Sequence, residues 1–472
     1  MKLKLSRGWF DICILFISVL GIYAGLSDLD YVWQADLGRQ ILQDGNFNGC
    51  YNQIWGSLGI AEYYDHEWLC NIIFYLFSLI PYKPLIWLKL FICLLSGLTF
   101  IYFSKEFELN NLSNFKKYQM LLVIAIYSLV FCKIKAYSFS VAFLMIELIL
   151  LNKYRKNEDN KLLIWLCILC IVWTNIHSGS MPLFFVVAGI YWLVSYRNKK
   201  LIGVGCLILL STCINPYGYK LLVFNFIHNF DSTMKVIIKD WISLDAKTSI
   251  GLCCTLFILW SIVLIANTKS INKPILYLSI CVLYLTFGSV RHFIYFVPLL
   301  LLIIKDSDLD LTLKFDNTYL VLFSLGLSIL VCFSTFTGDY DSYSYNYVDS
   351  ELEKLIYEIE DSEGTFNDHS FVDLVRYGKQ DFITGGYPLH SQRIVDTYTI
   401  INNAGVADVE KIIDYYKLDK FIFNKYNLLN FEKTGYLITN TLYNYLIDNE
   451  DYELLYDSEE LVYFRRKESN LD

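Results

Sequence analysis

Asp28 and Asp30 sit two residues apart, directly after the first apolar run of the chain. A carboxylate at the edge of a bilayer is costly unless it faces a polar cavity, so such a pair marks a candidate site. The chemistry open to it is general-base catalysis, in which a carboxylate takes the proton of an acceptor hydroxyl as that oxygen attacks. Either aspartate can also cap a short helix beginning near Tyr31, with Gly45 as its stop. In that helix Trp33, Leu37 and Ile41 recur at i+4 as an apolar stripe, with Gln34, Asp36 and Arg39 elsewhere on its surface. The pattern predicts a helix lying in the membrane interface.

His66-Glu67-Trp68 opens the next apolar segment, with Trp68 as interfacial anchor and His66 and Glu67 as groups able to orient a substrate. The same two residues are candidates for a divalent metal. Neighbours on one helix diverge by about 100°, so a small ion is awkward to share and no metal is assigned. His177 follows a polar Thr-Asn pair at the end of a later apolar run. Lys133, Lys135, Lys220, Lys239 and Arg291 stand at span ends or in loops, the cations expected to meet a phosphate. Arg291 and Lys135 are the preferred pair, because each adjoins a polar break between two apolar runs. The sequence contains no GxxxxGK[ST], GxSxG or HExxH, so no phosphate-cradling P-loop, serine-hydrolase elbow or zincin helix is written in it.

The elements that must position these residues are apolar helices. Hydrophobic residues make up 55% of the 472 and charged residues 18%, with a mean hydropathy of +0.40. That composition excludes a soluble enzyme, a nucleic-acid binder and a disordered scaffold. Apolar runs fall at 10–26, 68–82, 84–103, 119–133, 137–152, 162–176, 181–196, 200–215, 249–267, 275–288, 292–304 and 319–335. The chain is thus expected to be an α-helical polytopic membrane protein of about eleven to thirteen transmembrane helices. The first run follows Lys2, Lys4 and Arg7 without a small-residue cleavage site, and reads as an uncleaved span.

Lysine and arginine place the N-terminus, Lys153–Lys161, Arg197–Lys200 and Lys269–Lys273 on the cytoplasmic side. The loop 27–67, the segment 216–247 and the chain beyond 335 then lie outside, on a plasma membrane. One stretch resists this assignment. Two full crossings between 68 and 103 would put Lys105, Lys116 and Lys117 outside, so either one of those segments is re-entrant or interfacial, or the basic loop breaks the rule.

Charge divides the chain in two. Residues 336–472 hold 27 acidic and 12 basic side chains, a net of −15, while the first 335 hold 20 acidic and 27 basic, a net of +7. A transmembrane domain over 1–335 is therefore expected to precede an acidic extracytoplasmic domain over 336–472. In the latter, Ser350–Asp361 and Val406–Tyr416 have helical spacing, while 421–423 and 461–464 suit strands, a small α/β arrangement. All thirteen cysteines precede residue 336, most of them inside apolar runs; only Cys50 and Cys70 flank a polar loop in which a disulfide is conceivable.

Asp28-x-Asp30-x-x-Trp33-x-x-x-x-Gly38-Arg39 resembles the first-loop pattern DxDxWWHxxxGR of bacterial membrane proteins in the GT-C glycosyltransferase superfamily, which includes protein O-mannosyltransferases and aminoarabinose transferases. His66-Glu67-Trp68-Leu69, Asn175-Ile176-His177-Ser178-Gly179, Asn215-Pro216-Tyr217-Gly218, Asp240-Trp241 and Gln392–Tyr398 follow in the matching order. Gln34 stands where the family has histidine, Val32 for the first tryptophan, Lys135-Ala136 for an Arg-Pro pair, and Ser391 for an acidic residue.

The resemblance implies a transferase with a GT-C-like fold that moves a sugar from a polyprenyl-phosphate donor to a glycan, lipid or protein acceptor. Asp28 or Asp30 would be the base, with Gln34, Arg39, His66, Glu67, Lys135, His177 and Arg291 binding substrate. Apart from the resemblance, no cofactor is expected, and the acidic C-terminal region argues against nucleic acid as a partner. A flippase or transporter of lipid-linked sugars, and a non-catalytic assembly scaffold, remain the alternatives.

Overall fold

The computed structural model describes residues 8–23, 30–45, 47, 64–196, 200–230, 243–310, 365–367, 383–384, 406–424, 441–458 and 461–467. They fall into two compact units. The helical unit draws on 8–31, 66–230 and 243–310, and the second on 32–65 and the described residues beyond 346.

In the helical unit the chain forms α1 (Trp9–Leu20) and, after the loop that carries α2 (Asp30–Asp44), α3 (Trp68–Ser78) and α4 (Pro84–Glu106). There follow α5 (Asn114–Ile126), α6 (Ala136–Asn157), α7 (Lys161–His177), α8 (Met181–Tyr191), α9 (Lys200–Ser211) and α10 (Tyr219–Phe230). The set ends with α11 (Ser249–Ala266), α12 (Lys273–Gly288) and α13 (Phe296–Asp306). Helix α10 occupies a stretch expected only as an external segment. Span 319–335 and the helix expected at Ser350–Asp361 lie outside the described residues, as do Cys50 and the polar loop it flanks.

Among the described residues, four stretches are long and apolar enough to cross a membrane: Pro84–Glu106, Ala136–Asn157, Lys161–Ser195 and Ser249–Ala266. Several others are cut short by local geometry. Helix α5 passes into one π-helical turn at Tyr127–Phe131, where the 3-10 turn Gly21–Tyr23 at the end of α1 meets it. The approach demands glycine, since a Cβ at Gly21 would lie 2.7 Å from the Ser128 carbonyl oxygen.

Helix α3 corrects the expected span 68–82. Its 11 residues rise only about 16 Å, half of the ~30 Å needed to cross. Helix α4, with 23 residues, is long enough. Its C-terminal end also fixes the direction. Glu106 accepts from Asn152 Nδ2 at 2.8 Å and from Lys156 Nζ at 3.1 Å, both on the last turns of α6. Lys105 lies 3.5 Å from Asp11 in the first turn of α1, and Lys116 donates to the carbonyls of Lys305 and Ser307 at the end of α13. Asp306 and Asp308 in turn receive the backbone N–H groups of Asn272 and Lys269. The loop Lys105–Lys117 thus shares one end of the bundle with Lys153–Lys161 and Lys269–Lys273. A non-crossing α3 would reconcile the charge of this loop with the number of crossings.

In the second unit α2 departs from an interfacial amphipath. Leu37 and Ile41 are buried as the stripe requires, yet Gln34, Asp36 and Gln40 are buried too, at 3%, 5% and 6% exposure. Asp36 makes this tolerable, accepting from Arg39 Nε and Gln40 Nε2 at 2.8 Å each, so its carboxylate is satisfied within its own helix.

The remainder is a five-stranded sheet of β1 (Thr365–Asn367), β2 (Ile383–Thr384), β3 (Lys420–Asn424), β4 (Tyr452–Asp457) and β5 (Leu461–Arg466), in the order β2-β1-β3-β5-β4. β1 is parallel to β2 and β3, and the β3-β5-β4 edge is antiparallel. Helices α14 (Val406–Tyr416) and α15 (Thr441–Asp448) belong to the same unit. Phe366, Phe421, Phe423 and Phe464 fill its core.

The direction of α4 has a direct test. Glu108→Cys and Glu158→Cys should react with a membrane-impermeant maleimide from one side of the membrane and Pro216→Cys from the other, above the background of the unsubstituted protein. Labelling of Glu108→Cys from the Pro216 side would show that α3 crosses after all.

Candidate functional site

Helix α7 is apolar until its last turn, where Trp173 and His177 fall one turn apart on one face, and the 3-10 turn Ser178–Ser180 follows. Polar side chains at such a depth must satisfy one another. Ser140, near the start of α6, supplies what is missing. Trp173 Nε1 donates to Ser180 Oγ at 2.7 Å and to Ser140 Oγ at 3.0 Å. The two hydroxyls are 2.8 Å apart, and both reach His177 Nδ1, Ser140 at 2.7 Å and Ser180 at 2.9 Å. One indole, two hydroxyls and one imidazole form a closed ring that fixes the plane of His177.

The other ring nitrogen looks at a carboxylate. His177 Nε2 is 3.6 Å from Glu67 Oε1, and His66 Nε2 approaches the same oxygen at 3.7 Å. An ionised carboxylate can only accept, and hydroxyls can donate to Nδ1. The tautomer with its proton on Nε2, toward Glu67, is therefore the one that satisfies the ring. Glu67 is 15% exposed, a largely dehydrated anion between two imidazoles.

Backbone holds the pair in place. Ser178 N–H donates to the His66 carbonyl at 2.9 Å, and Asn225 Nδ2 of α10 donates to Ser178 Oγ at 2.7 Å. Trp68 Nε1 donates to Asn175 Oδ1 at 2.9 Å, and Asn175 Nδ2 caps the Ile214 carbonyl at 2.9 Å. Gly179 lies against both rings, a Cβ there being 3.4 Å from His66 Cδ2 and 3.7 Å from His177 Nε2.

The positive charge comes from the 3-10 turn Val290–Tyr295. Arg291 and His292 lie within electrostatic range of His177, and Arg291 and Glu67 within range of Tyr295. Lys135 immediately precedes α6, five residues before Ser140, at this same end of the bundle. A carboxylate that accepts, imidazoles that hold it and a guanidinium nearby form a site able to orient hydroxyls beside an anionic group. Among the described residues, no group of three or more His, Cys, Asp or Glu side chains is arranged to hold a metal ion.

The structure therefore brings together His66, Glu67, His177 and Arg291. Asp28 lies outside the described residues, and Asp30 is described as the first residue of α2 in its backbone alone. Gln34 and Arg39 belong to the second unit, where Arg39 is bound to Asp36. Lys239, Asp240-Trp241 and Gln392–Tyr398 are outside the described residues. Ser140, Trp173, Ser180 and Tyr295 were not singled out from sequence, where Ser140, Trp173 and Tyr295 read as parts of apolar runs and Ser180 as a link between two of them. The spacing Trp173–His177–Ser180 was the available signal, since i, i+4 and i+7 share one helix face.

No family model and no curated protein matches the chain. Among solved structures it is similar to the archaeal oligosaccharyltransferase AglB from Archaeoglobus fulgidus in complex with an inhibitory peptide and a dolichol-phosphate. That match has 9% identity and a TM-score of 0.46, covering 96% of this chain and 80% of that one. It is also similar to the Archaeoglobus fulgidus oligosaccharyltransferase tethered with an acceptor peptide. Here the identity is 10% and the TM-score 0.45, over 89% of this chain and 69% of that one. Likeness at this level does not say what the chain does.

Proposed function

We propose that the chain is a membrane glycosyltransferase of the plasma membrane that moves a sugar from a polyprenyl-phosphate-linked donor to an acceptor hydroxyl on the external face. The observation that supports this reading is the meeting of Glu67, His66 and His177, with Arg291 in range, at one end of an apolar bundle. In the proposed reaction the acceptor oxygen bonds to the anomeric carbon, inverting it. The bond from that carbon to the phosphate oxygen breaks, and its electron pair leaves with the polyprenyl phosphate. The acceptor proton passes to Asp28 or Asp30.

Arg291 and Lys135 offset the charge on the departing phosphate, a fixed-charge contribution of about 3 kcal/mol per well-placed donor. Glu67, held by the two imidazoles, accepts from hydroxyls of the bound sugar or acceptor. The N-terminus is cytoplasmic and the acidic C-terminal region external in this scheme. The acceptor is a glycan, lipid or protein.

One observation favours a second reading, a carrier of lipid-linked sugars. Lys89 on α4 and Glu147 on α6 are fully buried, and among the described residues neither Lys89 Nζ nor the Glu147 carboxylate has a hydrogen-bond partner. Ionisable groups in that setting mark ion or substrate pathways in carriers.

Mass spectrometry of lipid-linked and surface glycans tests the first reading, in host cells lacking the protein and complemented with variants at matched membrane levels. Wild type should restore a missing sugar, while Asp30→Asn and Glu67→Gln should each lower its transfer by about a hundredfold or more. Full restoration by Asp30→Asn would move the base elsewhere, and full restoration by both would end the transferase reading.

Lys89→Met and Glu147→Gln separate the two functions. On the transferase reading both keep transfer within about threefold of wild type. Loss of sugar translocation in either variant, with Glu67→Gln unaffected, would make the chain a carrier.

A further inference from the structure

The end of the bundle opposite His177 carries a second polar feature, independent of the proposed transfer. A cleft of about 160 Å³ opens between the ends of α4, α6, α12 and α13. Its charged lining is Glu106, Glu108, Arg155, Lys156, Lys305 and Asp306, three of each sign, with Asn152 and Asn272 between them and Phe107, Ile275 and Leu302 as an apolar wall.

A third of that charge is already committed. Glu106 is 12% exposed and neutralised by Lys156 at 3.1 Å, Lys153 at 3.9 Å and the Asn152 amide. The rest is not. Arg155 gives Nη2 to Asn152 Oδ1 at 3.0 Å, and among the described residues its remaining N–H groups have no partner. Lys305 Nζ and the exposed Glu108 carboxylate likewise have none among the described residues.

Among the described residues Asp306 accepts only the Asn272 N–H, at 3.1 Å. Burial lifts its carboxyl above the ordinary aspartate range, against the pull of that N–H and of Lys305, Lys116 and Arg155. Lys116 is itself turned to the carbonyls of Lys305 and Ser307. Two uncommitted cations and two uncommitted carboxylates thus share a small cleft, beside an apolar wall, where α4 and α6, both long enough to cross a membrane, come to an end.

That arrangement is the complement of a zwitterion with one phosphate and one ammonium. A purely anionic ligand would leave Asp306 and Glu108 facing like charge, and a purely cationic one would do so for Arg155 and Lys305. We propose that the cleft seats the phosphoethanolamine headgroup of a membrane phospholipid. Arg155 and Lys305 take the phosphate, Asp306 and Glu108 take the ammonium, and Phe107, Ile275 and Leu302 meet the glycerol end.

The test uses the full chain, delipidated in detergent. Phosphatidylethanolamine, phosphatidylglycerol and soluble phosphoethanolamine are added separately, with bound lipid read by native mass spectrometry and stability by thermal unfolding. Wild type should retain phosphatidylethanolamine about fivefold over phosphatidylglycerol and unfold at a higher temperature with it, a preference near 1 kcal/mol. Arg155→Ala with Lys305→Ala should abolish both effects. Glu108→Gln with Asp306→Asn should still bind lipid phosphate but lose the preference, a pattern that misfolding would not produce. Equal retention of the two lipids by wild type, or an unchanged preference in either double variant, would overturn the proposal. Stabilisation by soluble phosphoethanolamine but not by the lipid would overturn the lipid as its source.

Discussion

The hydrogen-bond ring of Trp173, Ser140, Ser180 and His177 is the constraint from which the site follows. Each member would be costly alone at the end of an apolar helix, on the order of 1–3 kcal/mol for an unmet polar group. Closed on one another they cost little, and they also lock α6, α7 and the turn Ser178–Ser180 into one arrangement. His177 is left with one nitrogen to offer, and its direction is set. Glu67 meets that nitrogen because Ser178 N–H and Asn225 hold the His66-Glu67 corner by backbone and hydroxyl contacts. A chemical group is positioned here by residues that do no chemistry.

The opposite end obeys the same rule with different residues. Glu106 gathers Asn152, Lys153 and Lys156, Asp11 meets Lys105, and Lys116 reaches carbonyls at the end of α13. Long alkyl cations dominate this end, whereas imidazoles, an indole and serine hydroxyls dominate the other. The contrast follows from burial. Lysine and arginine can extend from a helix end and carry their charge outward, while short side chains must be satisfied where they stand.

Much of the helical unit was legible from apolar run lengths, which located α6, α7, α11 and α12 to within a few residues. What escaped was the end of α3. Residues 68–82 form one largely apolar run, yet α3 ends at Ser78, three residues before Pro81, which lacks an N–H and disfavours helix at the residue before it. In α2 the periodicity was read correctly and its meaning was not. Asp36 binds Arg39 and Gln40 along its own helix, so a polar face could be buried where the hydrophobic stripe alone suggested exposure. In the tail, the strand at Lys420–Asn424 and the helix Val406–Tyr416 were legible as runs. Strand β4 was missed, because Tyr452–Asp457 mixes acidic and apolar residues without clear alternation.

The candidate site shows a similar division between type and partner. His66, Glu67, His177 and Arg291 stood out because ionisable groups are rare in such a chain. Ser140 and Trp173 did not, since serine and tryptophan are ordinary in apolar helices and acquire meaning only through what they touch. Lys89 and Glu147 invert the case. Their types are unusual for an apolar helix, but they break the rule that governs both ends, being buried among the described residues without a partner. Two buried ionisable side chains without a partner add nothing to the stability of a bundle. On the carrier reading they belong to the passage, and on the transferase reading they can be replaced without loss of transfer.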